Sequence, residues 1–191
     1  MSPSSSEPGV RGRVILLNGA SSSGKSSIGA ALLPLLADPW FLVPVDAVSS
    51  LRSTEHRREL SGVETTQMLT RTRRGYHRVV AALAAEGNDV IMDYPLSEPW
   101  RLADLLEVLT HYDVTLVDVR CSVAELDRRE LARQDRPLGL ARSQSVFEHT
   151  ERDLVVDTTT LSPQACASLI VDALDGLTRP KAFERLRAQT A

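Results

Sequence analysis

Eight consecutive residues near the start of the chain match the phosphate-binding pattern G-x-x-x-x-G-K-S/T at every fixed position: Gly19-Ala20-Ser21-Ser22-Ser23-Gly24-Lys25-Ser26. Such a loop brings several backbone N–H groups onto one phosphate, and glycine is needed where a side chain would crowd that approach. Lys25 adds an ammonium group for the outer phosphates, and the Ser26 hydroxyl is a suitable ligand for Mg²⁺. The pattern predicts that Gly19 to Ser26, together with Ser27, bind ATP and Mg²⁺.

A loop of this kind works only between a buried strand and a helix, because the helix N-terminus offers unpaired N–H groups and the positive end of a dipole. Residues 13–18 form a short apolar run that is typical of a strand covered on both faces. Residues 26–36 have helical spacing of their apolar positions. The alternative is a flexible Gly/Ser linker with an accidental lysine, which is not expected between a strand and a helix.

Two acidic residues follow the next predicted strands. Residues 41–45 form an apolar run that ends before Asp46, and Pro44 indicates that this strand is short or lies at an edge. Residues 89–93 form a third strand that ends in Asp93, as expected of an acid that supports Mg²⁺. Because parallel strands end at one edge of a sheet, Asp46 and Asp93 should lie near the phosphate loop. Asp46 could instead be a helix N-cap.

Several arginines surround the end of the helix predicted after the fourth strand (114–119), which covers residues 122–133. Arg128, Arg129 and Arg133 lie in its last turn, and Arg136 follows the break. Late arginines could simply complement the helix C-terminus. We prefer a lid over the phosphates, in which Arg129 and Arg133 bind nucleotide while Arg133 and Arg136 join Lys25 in catalysis, because guanidinium groups neutralise a transferring phosphoryl group.

The remaining pattern alternates strands and helices, which predicts an α/β fold with a parallel sheet covered by helices on both faces. Further helices are expected at 65–86, 98–109, 140–150 and 162–174, and a fifth strand at 153–157. Met68 should be core or cavity wall, and His77, His111 and His149 structural or surface groups. Residues 1–12 should form a disordered leader, 13–178 the folded domain and 179–191 a peripheral segment.

The composition and net charge limit the classes of partner that this protein can bind. The 191 residues carry a net charge of −3, which gives no basic field for nucleic acid and favours a small-molecule substrate. Cys121 and Cys166 have no metal-ligand or disulfide pattern. The first residues lack the features of a signal peptide or membrane anchor. We therefore expect a cytoplasmic protein, with homo-oligomer formation left open.

The order of these motifs resembles the small P-loop kinases, and within them the chain is similar to the chloramphenicol phosphotransferase family. The resemblance runs through most of the domain. The residues that carry it are Leu17-Asn18-Gly19, Ser21 to Ser26, Val45-Asp46, Ile91-Met92-Asp93, Val119-Arg120-Cys121, Arg129-Glu130, Ala132-Arg133-Gln134-Asp135-Arg136 and Val156-Asp157-Thr158-Thr159.

This resemblance implies a P-loop kinase fold with a five-stranded parallel sheet in the order 2-3-1-4-5. It also implies ATP-dependent phosphorylation of a hydroxyl on a small chloramphenicol-like antibiotic, which would confer resistance by inactivation. In that scheme Asp46 is the candidate base that deprotonates the acceptor hydroxyl. The residues expected to bind the acceptor are Asp46, Arg52, Met68 and Asp93.

Two departures from the family pattern leave other acceptors open. Tyr94 follows Asp93 where the family tends to have a second carboxylate, and Arg52, His56, Arg57 and Arg58 occupy a stretch expected to be apolar. A more polar or anionic acceptor is therefore an alternative, for example a nucleoside-type antibiotic or a hydroxylated metabolite. Two other classes also remain: a non-catalytic nucleotide-dependent binding module, contacting a partner through residues 181–187, and a plain nucleoside triphosphate hydrolase.

Overall fold

The computed structural model describes residues 11–53, 55, 59–132 and 139–190, within which five strands alternate with seven helices. The strands are β1 (Arg13–Asn18), β2 (Trp40–Pro44), β3 (Asp89–Asp93), β4 (Asp113–Arg120) and β5 (Leu154–Asp157). The helices are α1 (Lys25–Leu32), α2 (Val45–Ser50), α3 (Gly62–Ala85), α4 (Pro99–Val108), α5 (Val123–Ala132), α6 (Pro163–Leu174) and α7 (Ala182–Thr190).

The sheet is parallel with the order β2-β3-β1-β4-β5, so the predicted fold class and strand order are confirmed. In its register Leu17 of β1 and Pro44 of β2 both lie beside Asp93 of β3. Pro44 is thus the last residue of an edge strand, where its missing N–H is tolerated. The carboxyl ends of β1, β2 and β3 meet at one edge, which brings the phosphate loop and both predicted acids together.

Alternate residues of β1 supply two hydrophobic cores. Val14 and Leu16 pack with α3, α4 and α7, whereas Ile15 and Leu17 pack with α1 and α6. None of these four side chains is more than 1% exposed. Since burying one aliphatic side chain contributes about 1.5–3 kcal/mol, β1 is a firmly held base for the loop that follows it.

Helix α3 begins at Gly62, three residues before its predicted start, because Ser61 and Glu64 form a capping box. The Ser61 N–H donates to Glu64 Oε2 at 2.9 Å, and the Glu64 N–H donates to Ser61 Oγ at 3.3 Å. Further along, the Tyr76 hydroxyl donates to the Val43 carbonyl at 2.6 Å. This bond ties the helix to the edge strand β2.

The helix predicted at 140–150 is wrong, because this segment consists of turns. Gly139 has a φ of +83°, a left-handed conformation that glycine adopts readily. The Glu130 carboxylate accepts hydrogen bonds from the Gly139 N–H at 2.8 Å and from the Ala141 N–H at 2.7 Å. A buried side chain therefore satisfies backbone groups that a helix would otherwise have to pair.

The C-terminal segment is not peripheral as the sequence suggested, because α7 packs against β4 and α4 and adds side chains to the core on that face of the sheet. Ala182 and Phe183 are almost fully buried, and Leu186 joins them one turn later. The Lys181 ammonium donates to Asp113 Oδ1 at 2.6 Å at the start of β4. The apolar side chains at helical spacing make α7 part of the domain.

No helix in the described ranges is both long and apolar enough to cross a membrane. Cys121 is half-buried and Cys166 is buried, and both are free thiols. Burial raises the pKa of the Cys166 thiol, which keeps it protonated.

Candidate active site

The phosphate loop connects β1 to α1 in a conformation that its sequence explains. A Cβ at Gly19 would come within 2.5 Å of the Val119 carbonyl oxygen, so only glycine fits beside β4. Gly24 has a φ of +95°, which an L-side chain rarely adopts, and Ser22 also has a positive φ, of 61°. These dihedral angles turn the chain sharply before Lys25 starts α1, as a phosphate cradle requires.

Two residues on the β4–β5 side hold this loop. The Thr158 hydroxyl donates to the Ser23 carbonyl at 2.7 Å. Arg129 donates to the Thr158 carbonyl at 2.7 Å and to the Ser22 carbonyl at 3.3 Å, and its Nε donates to Glu125 at 2.7 Å. Arg129 thus contacts the loop from behind, and its predicted bond to nucleotide stays a prediction.

One backbone group of the loop is already engaged. The Ser21 N–H donates to the side-chain oxygen of Gln144 at 2.7 Å. Gln144 lies in the turn segment after residue 139, which sequence reasoning had treated as a plain helix. A phosphate that uses the Ser21 N–H must displace this amide oxygen, so the segment that carries Gln144 borders the nucleotide site.

Lys25, Ser26 and Asp93 form the polar centre of the site. The Ser26 hydroxyl donates to Asp93 Oδ2 at 2.5 Å, and the Lys25 ammonium lies 3.9 Å from Asp93 Oδ1. Lys25 also donates to the Ala20 carbonyl at 2.8 Å and is only 7% exposed. A hydroxyl and a carboxylate side by side are hard oxygen donors, so Ser26 and Asp93 fit Mg²⁺.

The described residues contain no cluster of three or more His, Cys, Asp or Glu side chains that could cage a metal by themselves. Mg²⁺ usually binds through one or two protein oxygens and completes its coordination with water and phosphate oxygens. Ser26 and Asp93 would therefore hold the ion from one side only.

A cavity of about 390 Å³ opens directly in front of these groups. Asp46 lines it from the first turn of α2, whose N-cap is Pro44, so the alternative of Asp46 as an N-cap is wrong. The predicted residues that the cavity brings together are Ser21, Ser22, Gly24, Lys25, Ser26, Ser27, Asp46, Arg52 and Asp93. The residues predicted to bind nucleotide and those predicted to bind the acceptor therefore line one cavity.

Other predicted residues lie elsewhere. Met68 is buried in the core, and its neighbour Leu69 lines the cavity in its place. Gly19, Ala20 and Ser23 belong to the loop but do not line the cavity among the described residues. Several predicted residues fall outside the part of the chain that the structure describes: Arg133 and Arg136 of the lid, and His56, Arg57 and Arg58 of the acceptor cap.

Sequence reasoning missed two arginines that line the cavity on the side of Asp46, which is called the acceptor half below because Asp46 is the predicted base. Arg73 comes from α3 and Arg101 from α4, and both line the cavity with Asp46. Arg101 is only 4% exposed and donates to the Pro95 carbonyl at 2.9 Å. The sequence held one clue to Arg101: it lies among apolar residues in the pattern of α4, and an arginine is seldom buried unless its charge is paired.

Behind the loop, His149 and Asp118 form a buried pair. The Asn18 side-chain amide donates to Asp118 Oδ1 at 3.0 Å, and His149 Nε2 lies 3.2 Å from the same oxygen. His149 Nδ1 lies 2.6 Å from the Glu151 carbonyl. His149 Nε2 also lies 2.9 Å from the Asn18 amide nitrogen, so this ring nitrogen has both a carboxylate and an amide group beside it. Burial lowers the pKa of His149, but the hydrogen bond to Asp118 and its charge outweigh burial, so the pKa is raised.

The raised pKa of His149 predicts a pH-dependent stability. Its stabilising contribution should be complete below the unfolded pKa of about 6.5 and should disappear as the pH rises through the higher folded pKa. The free energy of unfolding lost by His149→Gln should therefore be largest below pH 6.5 and shrink above it, by about 1.4 kcal/mol for each unit of pKa shift.

Denaturant titrations of both proteins at a series of pH values measure this difference. His111→Gln is the matched control, because it removes an exposed imidazole that has no part in the Asp118 pair. A His149→Gln loss that stays constant across neutral and alkaline pH would contradict a charged His149.

A family model described as chloramphenicol phosphotransferase-like protein matches residues 12–175. The chain belongs to this family. Two Mycobacterium tuberculosis proteins, from the strains CDC 1551 and H37Rv and each named "Putative O-phosphotransferase", are 30% identical over an alignment of 198 positions. The alignment covers 92% of this chain and 88% of each relative.

Solved structures with the same fold are kinases and a resistance protein. The Mycobacterium tuberculosis APS kinase in complex with AMPPNP and APS has a TM-score of 0.67 at 19% identity, covering 86% of this chain and 98% of its own. A Sinorhizobium meliloti gluconokinase has a TM-score of 0.58 at 21% sequence identity, and the match covers 95% of this chain and 99% of the gluconokinase. The Deinococcus radiodurans tunicamycin resistance protein has a TM-score of 0.61 at 20% sequence identity, and the match covers 88% of this chain and 98% of the resistance protein. Family and fold together identify a phosphotransferase that delivers phosphate to a hydroxyl.

Proposed function

We propose that this protein transfers the γ-phosphate of ATP to a hydroxyl of a small organic acceptor, with Asp46 as the base. The observation that carries the proposal is the shared cavity. Lys25 and Ser26 of the phosphate loop line it together with Asp46 and Asp93. A carboxylate within reach of a phosphate loop is what transfer to an alcohol needs, because an alcohol is a weak nucleophile at neutral pH.

In this reaction the acceptor oxygen forms a bond to the γ-phosphorus while its proton passes to the Asp46 carboxylate. The bond from the γ-phosphorus to the β-phosphate oxygen breaks, and ADP leaves. Asp46 is exposed at the cavity mouth and can release the proton to water afterwards. A positioned base typically contributes about 10²–10⁴-fold to the rate.

The loop and its lysine supply most of the remaining acceleration. Backbone N–H groups position the phosphates, and Lys25 neutralises charge that spreads over the transferring group. Mg²⁺, held by Ser26 and Asp93, would add further neutralisation of the β- and γ-phosphate oxygens. Lys25 and Asp93 are both buried, so solvent screens their interactions less than it would at the surface.

Two kinds of acceptor are compatible with the family. One is a chloramphenicol-like antibiotic, whose phosphorylation would inactivate it and confer resistance. The other is a more polar hydroxylated compound, such as a nucleoside-type antibiotic or a metabolite. The arginines at positions 52, 73 and 101 in the cavity favour the polar acceptor, because an apolar ligand would add no negative charge to balance theirs.

The proposal predicts ATP turnover that depends on an acceptor. ADP formation should be slow with ATP and Mg²⁺ alone and should rise when a suitable hydroxyl compound is added, with mass spectrometry detecting the phosphorylated product. Chloramphenicol, a nucleoside-type antibiotic and a set of hydroxylated acids would form the first panel. ADP formation at the same rate with and without every acceptor would indicate a hydrolase. Nucleotide binding with no ADP formation would indicate a binding module. Either result would overturn the proposal.

A further inference from the structure

Two guanidinium groups in the acceptor half of the cavity share a single carboxylate. Arg101 Nη2 donates to Glu98 Oε1, and Arg73 Nη1 lies 3.8 Å from the same oxygen. The Glu98 side chain is itself 43% exposed. One half-exposed negative charge thus faces two positive charges.

The arginines also repel each other. Burial first, and then the positive charge of Arg101, lower the pKa of Arg73, and the charges of Glu98 and Asp46 do not offset this effect. A guanidinium group remains protonated in any case. The acceptor half therefore holds positive charge that an anion would stabilise.

Beside these arginines lie two buried polar atoms without a hydrogen-bond partner in the described part of the chain: Arg101 Nε and the Tyr94 hydroxyl. Both residues line the cavity, and the Arg101 guanidinium lies 5.4 Å from the centre of the Tyr94 ring. Burial raises the pKa of Tyr94, so its hydroxyl stays neutral and can donate. Buried donors without partners are uncommon in native proteins and indicate a missing ligand or water.

We propose that Arg73, Arg101 and Tyr94 form an anion subsite, and that the acceptor carries a carboxylate or phosphate substituent in addition to its reacting hydroxyl. This inference rests on the proposed function for the identity of the bound molecule as a phosphoryl acceptor. The subsite holds the anionic end, while the hydroxyl lies at Asp46 in the same cavity. Planar guanidinium forks and a neutral hydroxyl match the several oxygens of such a group.

This subsite acts mainly on specificity. A site built to pair with a polar substrate group strongly rejects an analogue that lacks it, because the buried groups of the site are then left unpaired. A neutral hydroxyl compound of the same size should therefore be a much poorer acceptor than its anionic counterpart.

Inorganic sulfate is the probe for the test, with the phosphate loop blocked by saturating ADP and Mg²⁺. Isothermal titration at constant ionic strength, with chloride as the reference salt, should show one sulfate bound per wild-type chain. Arg73→Gln should weaken sulfate binding by about tenfold or more, since charged hydrogen bonds are the strong ones. Arg73→Lys keeps the charge without the planar fork and should give an intermediate affinity.

Arg71→Gln is the matched control. Arg71 lies on the same helix, its side chain is exposed, and it is not among the described residues that line the cavity. It loses the same charge but should bind sulfate as the wild type does. No sulfate binding by the ADP-saturated wild type, or an equal loss in Arg71→Gln and Arg73→Gln, would overturn the subsite.

Because sulfate binding is measured without turnover, this outcome is separate from that of the proposed function. Sulfate binding that depends on Arg73, in a protein that phosphorylates no acceptor, would keep the subsite and remove the function. Efficient phosphorylation of neutral hydroxyl compounds, with no sulfate binding, would support the proposed function and contradict the anion subsite. Trp100 fluorescence offers a second readout, because the Arg101 guanidinium lies 5.9 Å from its ring.

Discussion

Lys25→Ala should abolish phosphate transfer, with a loss of turnover of about 10²–10³-fold or more, and should weaken ATP binding. The buried Lys25 ammonium lies between the loop carbonyl of Ala20 and the Asp93 carboxylate, where the outer phosphates of a nucleotide belong. Removing it withdraws a fixed positive charge from a site that excludes water. Turnover and calorimetric ATP binding measure the two effects.

The chain offers a matched control for this substitution, since Lys181 is its other lysine. Lys181 bonds to Asp113 at 2.6 Å and to Thr115 at 3.1 Å, at the opposite end of the sheet. Lys181→Ala should cost about 1–3 kcal/mol of stability and leave turnover unchanged. Wild-type ATP affinity and undiminished turnover in Lys25→Ala would remove the phosphate loop from the reaction.

Asp46→Asn should leave ATP binding intact and lower transfer by about 10²-fold or more. Asparagine keeps the size and shape of the side chain but cannot accept the proton of the acceptor hydroxyl. Asp46 is the second residue of α2, and Pro44 is the N-cap. The substitution should therefore lower the free energy of unfolding only by the interaction of a first-turn carboxylate with the helix dipole, about 0.3–1 kcal/mol. Turnover and thermal unfolding are measured on the same preparation.

Asp175→Asn serves as the comparison, because Asp175 is exposed at the end of α6 and far from the cavity in the fold. It should keep both rate and stability. If Asp46→Asn also kept the wild-type rate, Asp46 would not be the base, whatever its place in the cavity.

The sequence predicted the sheet and the phosphate loop well because their signals are local. β1 and β3 begin and end at the predicted residues, since each is an apolar run bounded by polar or glycine-rich turns. The order of the strands came from the family resemblance, and the alternation of strands and helices was consistent with it. The phosphate loop is specified by backbone geometry that only Gly19 and Gly24 permit.

What the sequence could not predict depends on contacts between distant segments. Arg73 and Arg101 meet only because α3 and α4 pack side by side, and neither spacing nor type marks them as partners. His149, in the turn segment, likewise depends on Asp118, which lies in β4. One clue was present: a carboxylate inside the apolar run of β4 needs a partner when it is buried.

The turn segment from 139 to 150 was mispredicted for a related reason. Its apolar residues are spaced as in a helix, yet its backbone bonds to side chains elsewhere: Glu130 takes two N–H groups, and the Asn18 amide donates to the Val146 carbonyl at 2.7 Å. Helix propensity is a weak preference that such tertiary bonds readily override.

The strand order also divides the site into two parts that can evolve separately. Arg129 and Thr158, which support the phosphate loop, belong to the β4–β5 side, whereas Asp46, Arg73 and Arg101 come from segments around the edge strand β2 and its neighbour β3. In the proposed arrangement, substitutions in α3 and α4 would alter which acceptor is recognised while the phosphate loop and Asp46 stay unchanged. A lineage with this fold can acquire new substrates by drift at one edge of its sheet, without first losing its chemistry.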